Sequence, residues 1–435
     1  MQERFLKHIT ENLPFLLNSK LLIALSGGMD SVVLTHLCRG VQLDIALAHC
    51  NFNLRDQESD GDETFTISLS EMLDLEIFIQ HFDTEQYADD HNLSIQMAAR
   101  ELRYNWLNEL ADQLGYEFIL TAHHADDNLE TFFINLSRGS GLDGLTGIPQ
   151  INDRIVRPLI PFSREEIEAY AKSHDLNWRE DSSNKSMKYL RNSIRQELIP
   201  SLKTVFPDIL SQLAKTQGHL NDAAAILDQE RQRLFTEAVE KKEDEFYIDL
   251  KVLNRLEPAS AYLFLLLKPY GFTQWDDIYS LVDGQSGKQV YSSNWRLLKD
   301  RERLILSPIS QGRQAPQFIP EETHQITTSV GIIDFEEVDR FEECDSNTIY
   351  VDKDLLNFPL VLRSWEDGDS FFPIGMNGKK KISKFFKDEK LSLIDKERSR
   401  LLCSNRDIVW VVGHRADDRF KITQATRNIL KIEIH

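Results

Sequence analysis

Cysteine is scarce in this chain: Cys38, Cys50, Cys344 and Cys403 are scattered, with no CxxC pair and no metal-ligand spacing. A disulfide scaffold and a structural metal site built on thiolates are therefore not expected, and the cysteines read as reduced residues of a cytoplasmic protein. Long apolar runs are missing too. No stretch reaches 18 apolar residues, and no signal-peptide pattern opens the sequence, so neither a membrane partner nor secretion is expected. Positive charge is in deficit: Lys+Arg 50 against Asp+Glu 70 gives a formal net charge of -20. Bulk attraction to a polyanion is excluded, and any such contact must come from a local basic patch acting within the screening length. Internal repeats and low-complexity tracts are absent. What remains is 435 residues, enough for two to four domains with their own cores.

The most informative residues are Ser26-Gly27-Gly28-Met29-Asp30-Ser31, directly after the apolar run Leu21–Leu25. The run reads as a buried parallel strand, and Val32, Val33, Leu34 and Leu37 after it have helical spacing. Strand, Gly-Gly turn and helix N-terminus together make an anion site, with phosphate as its usual occupant. No Lys follows the glycines, so this is not the GxxxxGK[ST] loop. The spacing SGGxDS instead resembles the PP-loop of ATP pyrophosphatases.

Three further apolar strands are expected at Leu43–Ala48, Leu75–Ile79 and Tyr116–Leu120, with a helix from Ser94 to Leu114. This alternation predicts an α/β fold, an open, doubly wound parallel sheet over residues 1–204. Ligands of such sheets bind at the carboxyl ends of the strands, where Ser26–Ser31, His49–Asn53 and His123–Asp127 would gather. Residues 205–310 read as a mainly helical middle domain, 311–345 as a linker containing Gly312, Pro316 and Pro320, and 346–435 as a small β-rich domain.

Four segments carry candidate chemistry. His123–Glu130 holds two His and three acids in eight residues, which suits metal binding or proton transfer; helix capping by Asp126 or Asp127 is equally consistent with it. Arg138–Leu145 is a second Gly-rich loop, either a close-approach loop or a surface turn. After Asp181–Asn184, Arg191 and Arg195 lie four apart and share a helix face, as a phosphate clamp or a solvated face. Gly378–Lys387 places five Lys and two Phe in ten residues, suiting backbone contact with base stacking, or a solvated helix with its Phe in the core.

Together these motifs resemble the bacterial tRNA(Ile)-lysidine synthetase family over nearly the whole chain. The resemblance rests on Ser26–Ser31, His49…Asn53-Leu54-Arg55, Ala98–Tyr104, His123–Thr131, Arg138–Gly141, Arg157-Pro158-Leu159, Asp181…Asn184, Arg191-Asn192…Arg195, Leu362-Arg363…Asp369 and Gly375…Lys384. One departure is Lys390-Leu391-Ser392, where the family tends to carry a Pro.

The resemblance implies a ligase of the PP-loop superfamily with a two-step reaction. Oxygen 2 of the wobble cytidine in a CAU anticodon attacks the α-phosphorus of ATP, and free L-lysine then displaces AMP at carbon 2. The product lysidine switches decoding by tRNA(Ile) from AUG to AUA. The resemblance assigns catalysis to Asp30, Asp127 and Arg195, and ATP binding to Ser26, Gly27, Gly28, Met29, Asp30 and Ser31. It assigns Mg²⁺ to Asp127 or Asp126, and tRNA contact to Arg100, Arg103, Arg191, Lys379, Lys380, Lys381 and Lys384. A tRNA thiolase of the same superfamily would use a persulfide Cys or a cluster-binding CxxC, and no CxxC is present. A non-catalytic tRNA-binding protein would not need Asp30 and Asp127.

Overall fold

A computed structural model describes residues 1–54, 57–179, 190–309, 315–328, 330–342, 345–376 and 378–435. They form two compact units, Met1–Asp228 and Gln229–His435.

The first unit begins with α1 (Gln2–Asn12), β1 (Lys20–Ala24), α2 (Met29–Gly40), β2 (Asp44–Asn51), α3 (Gln57–Leu73) and β3 (Ile77–His81). It continues through α4 (Thr84–His91), α5 (Ile95–Leu114), β4 (Phe118–Leu120), α6 (Ala125–Ser137), α7 (Leu142–Leu145), β5 (Ile151–Asn152), β6 (Ile155–Val156) and α8 (Arg164–Ser173). The strands form one sheet in the order β3-β2-β1-β4-β6-β5, parallel except for the β5–β6 pair. Alternation along β1 feeds both faces. Leu21 and Ile23 enter a core with Phe5, Val33, Leu37 and Phe162, whereas Leu22 packs with Ala46, Leu107, Leu110 and Ile119. That two-sided burial is why the strands read as continuous apolar runs. α5 starts at Ser94, whose side chain accepts from the Met97 N–H, and stops at Gly115 in the left-handed region. Because β2 and β3 lie on one side of β1 and β4 lies on the other, the strand order reverses at the β1/β4 boundary. The loops after β1 and β4 meet there, with His124 Nε2 3.7 Å from Asp30 Oδ2, beside the carboxyl end of β2.

α9 (Leu190–Ser193), a π-helical turn (Ile194–Leu198) and α10 (Ile199–Val205) form one continuous helical segment. α11 (Ile209–Ala238) follows, and the boundary between the units falls within it.

The second unit carries the helices α13 (Ala259–Leu267) and α14 (Trp275–Val282), after a short α12 (Leu250–Leu253). It also carries a five-stranded antiparallel sheet that the sequence pattern did not reveal, made of β7 (Val239–Lys242), β8 (Glu245–Asp249), β9 (Gln289–Tyr291), β10 (Trp295–Asp300) and β11 (Arg303–Pro308). β10 and β11 are buried on both faces, with Leu297 and Leu304 on one side and Leu298 and Ile305 on the other. They therefore lack the polar alternation that marks a half-exposed strand. The expected linker at 311–345 is corrected: it contains β12 (Gln317–Ile319), β13 (Gln325–Thr328) and β14 (Gly331–Val338). These pair into the C-terminal β structure, β12 with β16 (Leu360–Ser364) and β14 with β22 (Ile429–Ile434). Pro316 and Pro320 flank a short edge strand there, a position that proline tolerates.

Candidate active site

A cavity of ≈ 530 Å³, a size that suits a nucleotide, opens at the carboxyl ends of β1 and β2. Its walls include Ser26, Gly28, Asp30, His49, Arg164 and Arg195.

The phosphate-type loop is rigidly tied. Gly27 takes φ +83, which an L side chain rarely adopts, and Gly28 caps α2 in an extended conformation. Ser31 Oγ donates to the Gly28 carbonyl at 2.9 Å and lies 3.2 Å from Ser26 Oγ. Met29 and Asp30 open α2, so the positive end of that helix faces the crevice.

Asp30 meets the residues after β4. His124, 1% exposed, lies with Nε2 3.7 Å from Asp30 Oδ2 and 3.4 Å from Asp127 Oδ2. Asp30 Oδ1 is buried without a hydrogen-bond partner. Burial pushes the Asp30 carboxyl up, against the pull of His124 and Arg164. Asp127 faces the same burial, but His124, His123, Arg195 and Arg191 outweigh it and hold this carboxyl below its ordinary value. Asp127 Oδ2 also accepts from the His124 N–H at 3.1 Å, closing the first turn of α6.

Arg191 and Arg195 do share a face, and that face points at acids. Arg195 Nη2 lies 2.9 Å from both Asp127 Oδ1 and Glu130 Oε2, and its Nε donates to Glu130 Oε1. Arg191 donates to Glu130 Oε2 at 2.8 Å and to Asp127 Oδ1 at 3.2 Å. Burial alone would lower the Arg195 pKa, but Glu130 and Asp127 raise it. Arg191, expected at tRNA, is thus engaged in this network. Glu130, counted among the acids of His123–Glu130 but given no role of its own, stands three residues after Asp127, which puts both carboxylates on one face of α6.

Asp126, expected as the alternative metal ligand, is held by its neighbours as Asp127 is. Its Oδ2 accepts from the Arg164 N–H at 2.9 Å, and its Oδ1 pairs with Lys203, so both oxygens are engaged in holding α8 and α10. The two exposed arginines of α5 differ. Arg103 lines the cavity with its guanidinium 5.2 Å from the Phe52 ring, whereas Arg100 stacks over Tyr104 at 4.9 Å and does not line it. His49 is buried, with Nδ1 2.9 Å from the Leu25 carbonyl, and burial lowers its pKa. The glycines of Arg138–Gly144 lie at the start of α7, outside the cavity lining. Asp181–Asn184 and Tyr189 lie outside the described residues. Among the described residues no group of three or more His, Cys, Asp or Glu is arranged to hold a metal ion.

In the second unit, Lys379, Lys381, Lys384 and Lys387 are exposed. Lys380 instead pairs with Asp388 at 2.9 Å and lies over the Phe385 ring. Phe385 and Phe386 are 1% and 0% exposed, so the expected base stacking by these rings is corrected: α15 (Ile382–Asp388) turns them into the core and its lysines outward.

Comparison with known proteins covers both units. Residues 1–202 match the family model described as a PP-loop domain, 241–309 the TilS substrate binding domain and 360–434 the TilS substrate C-terminal domain. A tRNA(Ile)-lysidine synthase of Bacteroides thetaiotaomicron is 39% identical over 100% of both chains. The enzyme of that name from Parabacteroides distasonis is 39% identical over 94% of each, and one from Porphyromonas gingivalis is 35% identical over 94% of this chain and 92% of its own. With full-length identity at this level, and Asp30 of the glycine loop linked to Asp127 through His124, the chain belongs to the tRNA(Ile)-lysidine synthase family.

Proposed function

We propose that this protein joins free L-lysine to carbon 2 of the wobble cytidine in the CAU anticodon of tRNA(Ile), through an adenylated cytidine, releasing pyrophosphate and AMP. The observation that carries the reading is that the glycine loop, Asp30 and Arg195 line one cavity, and that buried His124 and Asp127 contact Asp30 and Arg195 beside it.

The ATP phosphates would lie over the Ser26–Ser31 backbone, where the α2 N-terminus favours negative charge. Arg195 and Arg164 line the same cavity and bring oriented positive charge to the phosphates as the cytidine oxygen attacks. The donor set fits Mg²⁺, because Asp30 Oδ1 is a buried acceptor without a partner and the Asp127 carboxylate lies across His124 from it. Asp30 and Asp127 would hold the ion, which when bound offsets charge on departing pyrophosphate.

The anticodon loop is single-stranded, so its bases can be splayed into a pocket. Arg103 at the cavity wall is placed to meet it. Exposed Lys379, Lys381 and Lys384 suit contact with the tRNA backbone, which sets affinity without reading bases. ATP, tRNA and free lysine share the cytoplasm, where we place the reaction. No described helix is long and apolar enough to cross a membrane. Sulfur delivery finds no support in the described thiols: burial pushes Cys50 up to about 12 and Cys403 up to about 11, far from the thiolate that such chemistry needs.

The deciding experiment is ATP-dependent incorporation of labelled lysine into tRNA(Ile) carrying a CAU anticodon. Incorporation at the wobble position supports the reading. Its absence with folded protein, ATP and Mg²⁺ present overturns it.

A further inference from the structure

The glycine loop is held from outside by a residue that no motif singled out. The Arg179 N–H donates to the Gly27 carbonyl at 2.9 Å. A trans peptide is planar, with its carbonyl and its N–H pointing opposite ways. Fixing the Gly27 carbonyl outward therefore aims the Gly28 N–H back into the loop, where it lies 3.4 Å from Ser26 Oγ. The Gly27–Gly28 peptide plane is thus pinned at both ends.

What keeps Arg179 in place comes from α3. Its Nε donates to Asp62 Oδ1 at 3.0 Å. The guanidinium lies directly against Gly61, where an added Cβ would sit 2.9 Å from Nη2 and 3.5 Å from Cζ. Gly61 sits inside α3, where glycine weakens a helix relative to alanine. The close approach of Arg179 is a physical reason for glycine at that position. Asp62, Trp178 and Arg179 all line the nucleotide cavity, so the tether forms part of its wall.

We propose that Asp62 and Arg179, seated on Gly61, are a positioning pair that sets the Gly27–Gly28 peptide for the ATP phosphates. The inference rests on the reading of this crevice as the ATP site. Asp62 acts through Arg179, and Arg179 acts through its main-chain N–H, with its side chain as the anchor. Loss of the anchor frees the 178–179 backbone, and the loop then samples peptide orientations that do not bind phosphate. ATP affinity falls while the chemistry of the bound complex is largely kept.

The test measures ATP binding directly, by calorimetry with ATP and Mg²⁺, alongside the KM for ATP and kcat of pyrophosphate exchange in the presence of tRNA. Variants are Asp62→Ala, Arg179→Ala, their double variant, Arg179→Lys and Gly61→Ala. The last removes no polar group and only displaces the guanidinium, so it tests the seat if an Asp62 variant fails to fold. Each single variant is expected to weaken ATP binding and raise KM by roughly tenfold, with kcat within about threefold of wild type. The double variant should be no worse than either single one, because both remove the same tether. Arg179→Lys, which keeps a cation for Asp62, should recover part of the affinity, and tRNA affinity should not change. Additive losses in the double variant, or unchanged ATP affinity in folded Gly61→Ala and Asp62→Ala proteins, would overturn the proposal. Absence of ATP binding by the wild type would instead strike the reading of the crevice itself.

Discussion

Arg195→Ala perturbs two things at once, and the structure says how to separate them. Arg195 is the principal counter-ion of two carboxylates that are 9% and 1% exposed, Asp127 and Glu130. Removing one partner of a buried ion pair typically costs about 3–5 kcal/mol, because the charge left behind is uncompensated. Arg191 still faces both acids, which places the expected loss near the lower end, about 3 kcal/mol. For a unit of this size 1 kcal/mol moves the midpoint by about 2–4 °C, so the first unit should melt roughly 6–12 °C lower. The catalytic effect is separate: losing one oriented charge near a reacting phosphate typically costs ~100- to 1,000-fold in rate. Arg195→Lys distinguishes the two. It keeps the positive charge and should restore most of the midpoint, but it lacks the planar fork and should leave most of the rate defect. The assays are thermal melting, followed by single-turnover adenylation at a temperature where every variant is folded. An Arg195→Ala protein that melts with the wild type would refute the network account. Full rate recovery by Arg195→Lys would refute the need for the fork.

Asp127→Asn should slow adenylation by a similar factor with tRNA affinity unchanged; a defect confined to tRNA affinity would make Asp127 a docking residue. Gly27→Val, with a β-branched side chain at φ +83, should abolish ATP binding while the rest of the fold melts normally, and retained binding would count against the phosphate loop. Lys379→Ala, Lys381→Ala and Lys384→Ala combined should weaken tRNA binding and lower the slope of log affinity against log salt by up to ~0.7–0.9 for each phosphate no longer neutralised, with coincident lines refuting the patch. Lys380 is left out of that set because Asp388 already neutralises it. Burial lowers the His123 pKa from 6.5 to about 4, only partly opposed by Asp127. The folded pKa lies below the unfolded one, so the unfolded chain binds more protons between pH 6.5 and 4, and stability falls as pH drops through that window. The ceiling is roughly 3 kcal/mol, read as a steeper loss of unfolding free energy towards acid pH in wild type than in His123→Asn; equal slopes would contradict it.

The parallel sheet was legible because its strands are apolar on both faces and its glycines stand at a strand–helix junction, both local patterns. α5 was legible for the same reason, from the Ser94 cap to Gly115. The middle sheet was not, because the apolar runs of β10 and β11, Leu297-Leu298 and Leu304-Ile305-Leu306, are short and flanked by charged or polar residues, unlike the longer runs of the parallel strands. Within the site, Asp30 and Asp127 could be named from motifs. The engagement of Asp126 by Lys203 and of Arg191 by Glu130 could not, since those partners lie 61 or more positions away in the chain. Arg179 carried no signal at all: its role arises from a main-chain bond to Gly27 and a neighbour on another helix.

The π-helical turn at Ile194–Leu198 makes the length of this segment a functional quantity. A π turn is an α-helix with one residue too many, kept at a small energetic loss and often found at functional sites. Deleting a single residue within it would let the helix relax to ordinary geometry while the turns on either side keep their facing, because the wide turn takes up the extra residue locally. The same deletion in the α-helical flank, between Arg191 and the wide turn, would swing Arg191 by about 100° relative to Ile199 and the buried acids. The wide turn is therefore where this segment can absorb a change of count, and a change of count beside it separates Arg191 from Asp127 and Glu130.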